Sequence, residues 1–412
     1  MRDFLKCKTV FVASFVERWK GQRKATLGML PYLHEYLRSR ALQTVWLEEP
    51  LPGSDDVSLT AEISRGDSQR RWTLPIAFRA IAQQRNNPSK TYFGLKARDL
   101  IAVFIAMMST RGKIDLFIGV ESVNALMGIV FRWIGKVDKS VYYIINYVAP
   151  TRYPNASVFH NAIFHLLDRF CAVHSDFVWN QSDVVKQARA KFGLSPIETA
   201  PQLTVPMPIR HIARDSADVQ SDPEVVYVGT IDEYFGVDLI VKAIPAIIKK
   251  IPRFRCHFIG DGSARSWLEK EVRSQFLERN AIFYGYLPQP ETDKIMASCQ
   301  LGLAPYPLVD PRNPKLPTGH VFTDVGKPKI YLSAGLPVIM TRGIPFSDEL
   351  TRHNAGILID CDVDELAEAT TRLLSDSTLY GKCRLGALQL AKEYDATQIL
   401  DRVFSEMAFV SK

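Results

Sequence analysis

The chain has 412 residues, 47% hydrophobic and 23% charged; this excludes a disordered or fibrous protein and asks for two cores of roughly 200 residues each. Its six cysteines are scattered, with no Cys-x-x-Cys pair and no Cys/His set at zinc spacing, so a reducing, cytoplasmic compartment is expected and no metal. The net charge of +7 favours anionic partners, but nucleic acid is set aside because no zinc-finger spacing, basic heptad region or RNP-like strand accompanies it.

In the first half, short apolar runs alternate with segments of helical period, the pattern of a parallel sheet wrapped by helices. The apolar stretch from Thr9 is followed by Glu17, Arg18 and Lys20 rather than small residues, and reads as a first core strand and not as a leader. Further strands are predicted at 43–47, 115–120, 141–146 and 177–179. The polar stretch 51–87 reads as an insertion or flap. The apolar runs 100–108 and 114–134 are too short or too charged to span a membrane, the second carrying Asp115, Glu121 and Arg132. His160, ahead of a helix, reads either as a cleft residue or as a structural hydrogen-bonder. Residues 196–223, broken by Pro201, Pro206 and Pro208, form a linker.

The second half carries sharper signals. In VVYVGTIDEYFGVDLIVKAI, Val225 to Ile244, a strand runs into Gly229 and a helix starts near Val237. Backbone N–H groups then converge beyond the strand in a way that suits a diphosphate, although a glycine there also serves any tight turn. CHFIGDG ends on Gly260, and IFYGYLP supplies Gly285 and Tyr286, each at the carboxyl end of a strand, where open α/β sheets bind ligands. In FTDVGKPKIYLSAGLPVIMT, Phe322 to Thr341, Lys327 opens a helix. A cation there opposes the helix dipole unless an anion lies between them, which makes Lys327 a phosphate-ligand candidate. The Asp-x-Asp pairs in Asp360 to Asp364 follow a strand and precede a helix, and read as helix caps rather than metal ligands.

These motifs, in this order and spacing, resemble the donor domain of the family 4 (group 1) glycosyltransferases of the GT-B fold, over roughly Val225 to Ala391. The likeness extends into the first half. KIDLFIGVESVNALMG resembles the family's strand that brings Glu121 to the cleft. SVYYIINYVAP resembles the next strand, with Asn146 at its end. The loop after the first strand, with Gly21, Arg23 and Lys24, corresponds to the family's glycine-rich loop. The family's paired glutamates fall at Phe322 and Ile330, and its phosphate-binding Arg and Lys at Thr230 and about Phe235, with Asp324 and Lys327 the nearest polar replacements.

The resemblance implies an α/β chain of two Rossmann-like domains facing across a cleft. Residues 1–205 form the acceptor domain, 206–222 a linker and 223–390 the nucleotide-sugar donor domain, while 391–412 form a helix crossing back to the first. It implies a metal-independent transferase, without cofactor, moving a sugar from a nucleoside diphosphate sugar to a hydroxyl acceptor with retention, in cell-surface polysaccharide or glycolipid assembly. Glu121, Asn146 and Lys327 are the catalytic candidates; Glu121 serves as base if the chemistry inverts. Gly229, Thr230, Gly260, Gly285, Tyr286, Asp324 and Tyr331 are the donor-binding candidates, and Gly21, Arg23 and Lys24 those for phosphate or acceptor. Expected partners are the nucleotide-sugar, a carbohydrate or lipid-linked acceptor and an anionic membrane surface, with the protein cytoplasmic or peripheral on the membrane's inner face. A nucleotide-sugar epimerase of the same fold and a non-catalytic binding protein are the alternatives.

Overall fold

The structure is a computed structural model and describes residues 5, 8–19, 22–23, 28–51, 54, 56, 58–74, 88–145, 147, 158–191, 194, 198–209 and 223–410. Two compact units divide the chain, one made of Met1–Pro206 with Ala396–Lys412 and the other of Met207–Asp395.

The first unit holds strands β1 (Thr9–Val16), β2 (Arg18–Trp19), β3 (Gln22–Arg23), β4 (Gln43–Pro50), β5 (Thr60–Arg65), β6 (Ser68–Thr73), β7 (Ile114–Val120), β8 (Val137–Ile144), β9 (Phe177–Asn180) and β10 (Gln202–Thr204). Eight of them form one sheet in the order β10-β9-β8-β7-β1-β4-β5-β6. Strands β1 and β4 to its one side and β7 to β10 to the other run parallel, and the chain changes direction across the sheet between β1 and β7. Part of the stretch expected as a flap is sheet instead: β5 and β6 continue the sheet antiparallel to β4. Their polar sequence misled the reading because β6 is an edge strand, almost wholly exposed and carrying Arg70 and Arg71, and charge on an edge deters further pairing. Residues 75–87 lie outside the described residues.

The last helix, Ala396–Val410, belongs to this first unit. Phe404 stacks on Tyr36 at 5.5 Å between ring centres and meets Trp179 edge-on, also at 5.5 Å. The Tyr36 hydroxyl donates to Asp401 at 2.5 Å and Arg402 to the Thr204 carbonyl at 3.1 Å.

The second unit has β11 (Glu224–Val228), β12 (Arg255–Ile259), β13 (Ala281–Gly285), β14 (Leu301–Ala304), β15 (Val309–Asp310), β16 (Asn313–Pro317), β17 (Val338–Thr341) and β18 (Gly356–Ile359). Six make a sheet in the order β13-β12-β11-β14-β17-β18, parallel throughout. Its strands are continuous apolar runs because helices cover both faces. The helix Val237–Lys250, for instance, buries Val237, Ile240, Val241, Ile244 and Ile247 at helical spacing. β15 and β16, which the sequence did not announce, form a small antiparallel hairpin beyond β14. Residues 210–222 of the linker lie outside the described residues, but Met207 and Ile209 already pack in the second unit, the Ile209 N–H donating to the Tyr394 carbonyl at 2.9 Å.

Candidate functional site

In an open parallel sheet, the crevice for a ligand opens where neighbouring strands lead away in opposite directions, beyond their carboxyl ends. In the second unit that point lies between β11 and β14. The two strands pair only at Val225 with Leu301 and Val226 with Gly302, and then Tyr331 enters between them. Its hydroxyl accepts the Val228 N–H at 3.0 Å and donates to the Leu303 carbonyl at 2.9 Å. Gly302 makes this possible, since a Cβ there would fall 2.1 Å from the Tyr331 ring. Tyr331, expected to touch the donor, is fully buried and acts instead as a wedge that holds the crevice open.

Gly229, Gly260 and Gly285 close β11, β12 and β13 in a row. The Gly229 N–H donates to the Ile259 carbonyl and the Gly260 N–H to that of Gly285, both at 2.8 Å. The backbones approach so closely that a Cβ on Gly260 would stand 1.9 Å from the Gly229 oxygen, and both residues take φ near 138° (137° and 138°), which glycine alone adopts without strain. Thr230 follows, exposed, with its carbonyl accepting the Tyr227 hydroxyl at 2.5 Å. Tyr286 is half exposed beyond Gly285.

Lys327 comes to the same place. It sits at the start of the helix Gly326–Ser333, which no side chain caps, and its Cε lies 2.7 Å from where a Cβ on Gly229 would be. Its ammonium is enclosed by rings, 3.7 Å from the centre of Phe235, 5.1 Å from Tyr306 and 5.2 Å from Tyr227. Among the described residues no carboxylate pairs with it. Burial alone pulls its pKa from 10.5 down to about 7. A partly desolvated cation without a counter-ion, beside a glycine turn at a strand end, is an arrangement that an incoming phosphate completes. Phe235, standing where the resemblance placed a cation, supplies the nearest face of this cage; the sequence reading missed that role, and its signal was the aromatic pair Tyr234-Phe235 before Gly236.

Asp324 is turned elsewhere. Its carboxylate takes the Lys329 ammonium at 2.5 Å and the Met207 N–H at 2.8 Å, with both charged side chains buried. It fastens the beginning of the second unit to the helix that bears Lys327, both contacts falling on the same oxygen, Oδ2. A further clamp also escaped the reading: Arg312, from the β15–β16 hairpin, reaches Asp232 with both contacts within 2.7 Å. Burial opposes the charge on Asp232, yet hydrogen bonds from Ser263 and the Tyr234 N–H, with Arg312 beside it, hold its carboxyl below the usual range. His320 joins the same wall, its ring 4.6 Å from Tyr306 and 5.0 Å from Phe235.

The first unit has a corresponding point between β1 and β7. Glu121 stands there, immediately after β7, with φ of 66°. A non-glycine residue in the left-handed region carries strain of about 1–3 kcal/mol. Its side chain accepts the Ile145 N–H at 3.2 Å, bridging the ends of β7 and β8. Arg18, in β2, is buried and committed to Glu48 at 3.1 Å, Thr60 at 2.9 Å and the Ser58 carbonyl at 2.8 Å. Asn146, Gly21 and Lys24 lie outside the described residues, as do the side chains of Arg23 and His160.

As for metals, Glu224, His257 and Cys299 bring their ligand atoms within 4.8 Å of one another. They lie at the amino ends of the strands, away from Lys327, and Glu224 is already held by Arg255 at 2.7 Å and His257 by the Tyr284 hydroxyl at 2.9 Å. Asp362 accepts the N–H groups of Asp364 and Glu365 at 2.9 and 3.0 Å, capping its helix as predicted.

Residues 222–376 match the family of group 1 glycosyl transferases. That stretch is a group 1 glycosyl transferase domain. It includes both sides of the crevice, Gly229 and Lys327. No curated protein matches the chain in sequence. Among solved structures, the chain is similar in fold to alpha,alpha-trehalose 6-phosphate synthase from Burkholderia multivorans (14% identity, 98% of this chain and 99% of that one, TM-score 0.69). It is similar to Anabaena HepE in complex with UDP (15%, 97% and 99%, 0.62). It is also similar to a point mutant of S. aureus TarM in complex with fondaparinux, alpha-GlcNAc-glycerol and UDP (14%, 75% and 59%, 0.53), so the chain spans little more than half the length of TarM. The fold of the chain is accordingly GT-B, two parallel-sheet α/β domains.

Proposed function

We propose that the chain transfers a sugar from a nucleoside diphosphate sugar to a hydroxyl acceptor, without a metal and with retention of configuration. The observation that carries this reading is the caged Lys327 ammonium beside Gly229 at the crevice of a group 1 glycosyl transferase domain. Departure of a nucleoside diphosphate builds negative charge, and without a metal that charge must meet a cation and backbone N–H groups. Lys327 and the Gly229 turn supply them. Glu121, strained and placed at the first unit's own switch point, orients the acceptor hydroxyl, or takes its proton if the reaction inverts. UDP bound in HepE and TarM makes a uridine nucleotide the first donor to try.

The acceptor we propose is a carbohydrate or a lipid-linked sugar in cell-surface polysaccharide or glycolipid assembly, with the protein at the inner face of a membrane. No described helix is long and apolar enough to cross one.

Thermal stabilisation against UDP-, GDP-, TDP- and ADP-sugars, followed by assay of the stabilising donor for transfer and hydrolysis, tests the reading. Lys327→Ala and Glu121→Gln each lower turnover roughly tenfold or more with the fold intact. Near wild-type rates in both would sink the site assignment, free epimerised nucleotide-sugar would favour an epimerase, and no stabilisation by any donor would favour a non-catalytic binding protein.

A further inference from the structure

The apolar run at 100–108 and the end of the one at 114–134 do not all point inward. The helix Pro88–Ser109 turns Ile101, Phe104 and Met108 outward, at i, i+3 and i+7. The helix Glu121–Trp133 beside it leaves Trp133 and the following Ile134 exposed, and Val158–His174 exposes Leu166. Met108, Trp133 and Leu166 are 61%, 59% and 68% exposed. The three helices pack side by side, Phe104 lying 5.8 Å from Phe131 and Trp133 meeting Phe170 at 6.0 Å, so these residues share one face of the first unit. Soluble monomers rarely leave so broad an apolar face in water.

Basic groups gather mostly where its helices end. Arg111 and Lys113 follow the first helix, Arg132 and Lys136 end the second, and Lys139 and Arg169 stand at the neighbouring strand and helix. Among the described residues, Asp138 pairs with Lys113 at 2.9 Å and Asp176 with both Arg132 and Lys139, two carboxylates for three of these cations. Lys136 also ties the ends together, donating to the carbonyls of Thr110 at 2.6 Å and Gly112 at 2.7 Å.

We infer that this three-helix face is a docking surface for an anionic lipid bilayer. The apolar residues enter the interfacial zone, with Trp133 at the headgroup level that suits an indole. The basic rim is drawn to acidic headgroups. A second copy of the chain is the poorer occupant, because two such faces would set excess positive charge against positive charge. The inference deepens the reading of a membrane-side acceptor but needs no sugar nucleotide to be tested, so its failure and that reading's failure are distinguishable.

Co-sedimentation of the full chain with vesicles of phosphatidylglycerol and phosphatidylethanolamine, and with vesicles of phosphatidylcholine alone, is the experiment. Pelleting is expected with the anionic vesicles, at least tenfold weaker with phosphatidylcholine, and reduced by high salt. Phe104→Glu combined with Trp133→Glu lowers pelleting tenfold or more while far-ultraviolet circular dichroism and donor-induced thermal shift are unchanged. Arg111→Glu with Lys113→Glu weakens it several-fold as a separate arm. Absence of pelleting by the wild type, or equal pelleting by the Phe104/Trp133 variant, overturns the proposal. So does a wild-type dimer that the same variant dissociates without change in vesicle binding.

Discussion

The ammonium of Lys327 rests 3.7 Å above the ring centre of Phe235. The contact replaces water with a π-face, which holds a cation less well than solvent does, and burial brings the lysine's pKa from 10.5 to about 7. A bound diphosphate restores the charged form. Calorimetry of UDP binding at about pH 8, in buffers of different ionisation enthalpy, is therefore expected to report uptake of up to about one proton. Lys327→Met abolishes the uptake and weakens binding tenfold or more.

The same shift affects stability in a definite direction. The folded pKa lies below the unfolded one, so the unfolded chain binds more protons between them. Stability of the free protein then rises with pH from about 7 towards 10.5. Lys327→Met flattens this rise in thermal unfolding of the ligand-free protein.

Glu49 should produce the opposite slope. Burial, reinforced by Asp99, raises its carboxyl from 4.5 to about 8. One oxygen accepts from Asn124 at 2.9 Å and the other has no hydrogen-bond partner. Its folded pKa exceeds the unfolded one, so its contribution is fully present below 4.5 and is lost as pH rises to about 8. Glu49→Gln retains the Asn124 contact and removes the titration; its unfolding midpoint is expected to fall less than the wild type's over that window.

Tyr331→Phe removes the hydroxyl that joins β11 to β14 and leaves the Val228 N–H and the Leu303 carbonyl without their partner. A loss of about 1–3 kcal/mol is expected in urea unfolding. If Tyr331 instead touched the donor, the main effect would appear in the KM for nucleotide-sugar with stability unchanged.

Asp324→Asn separates the two readings of that residue. As the buried partner of Lys329, its loss strands an ammonium in the core and costs about 3–5 kcal/mol. As a donor ligand it would raise KM at unchanged stability. The structure predicts the first outcome, read by denaturant unfolding beside steady-state kinetics.

Much of the fold was legible in the chain itself. Alternating strand and helix periods announced two parallel-sheet units, and the carboxyl ends of β11, β12 and β13 were marked by Gly229, Gly260 and Gly285, because all three take positive φ and Gly260 also lies against the Gly229 backbone. Lys327 was legible too, as a cation where a helix dipole disfavours one. Pairings distant in the chain were not. Nothing local says that Asp324 spends its charge on Lys329 and Met207, that Tyr331 reaches past Gly302 to Val228 and Leu303, or that Phe235 lies over Lys327. Nor does helical period distinguish Phe104 and Trp133, which face water, from the core residues beside them. Period and turn chemistry act between near neighbours and survive in the one-dimensional pattern, whereas a side chain's partner is chosen by which elements the folded sheet sets side by side.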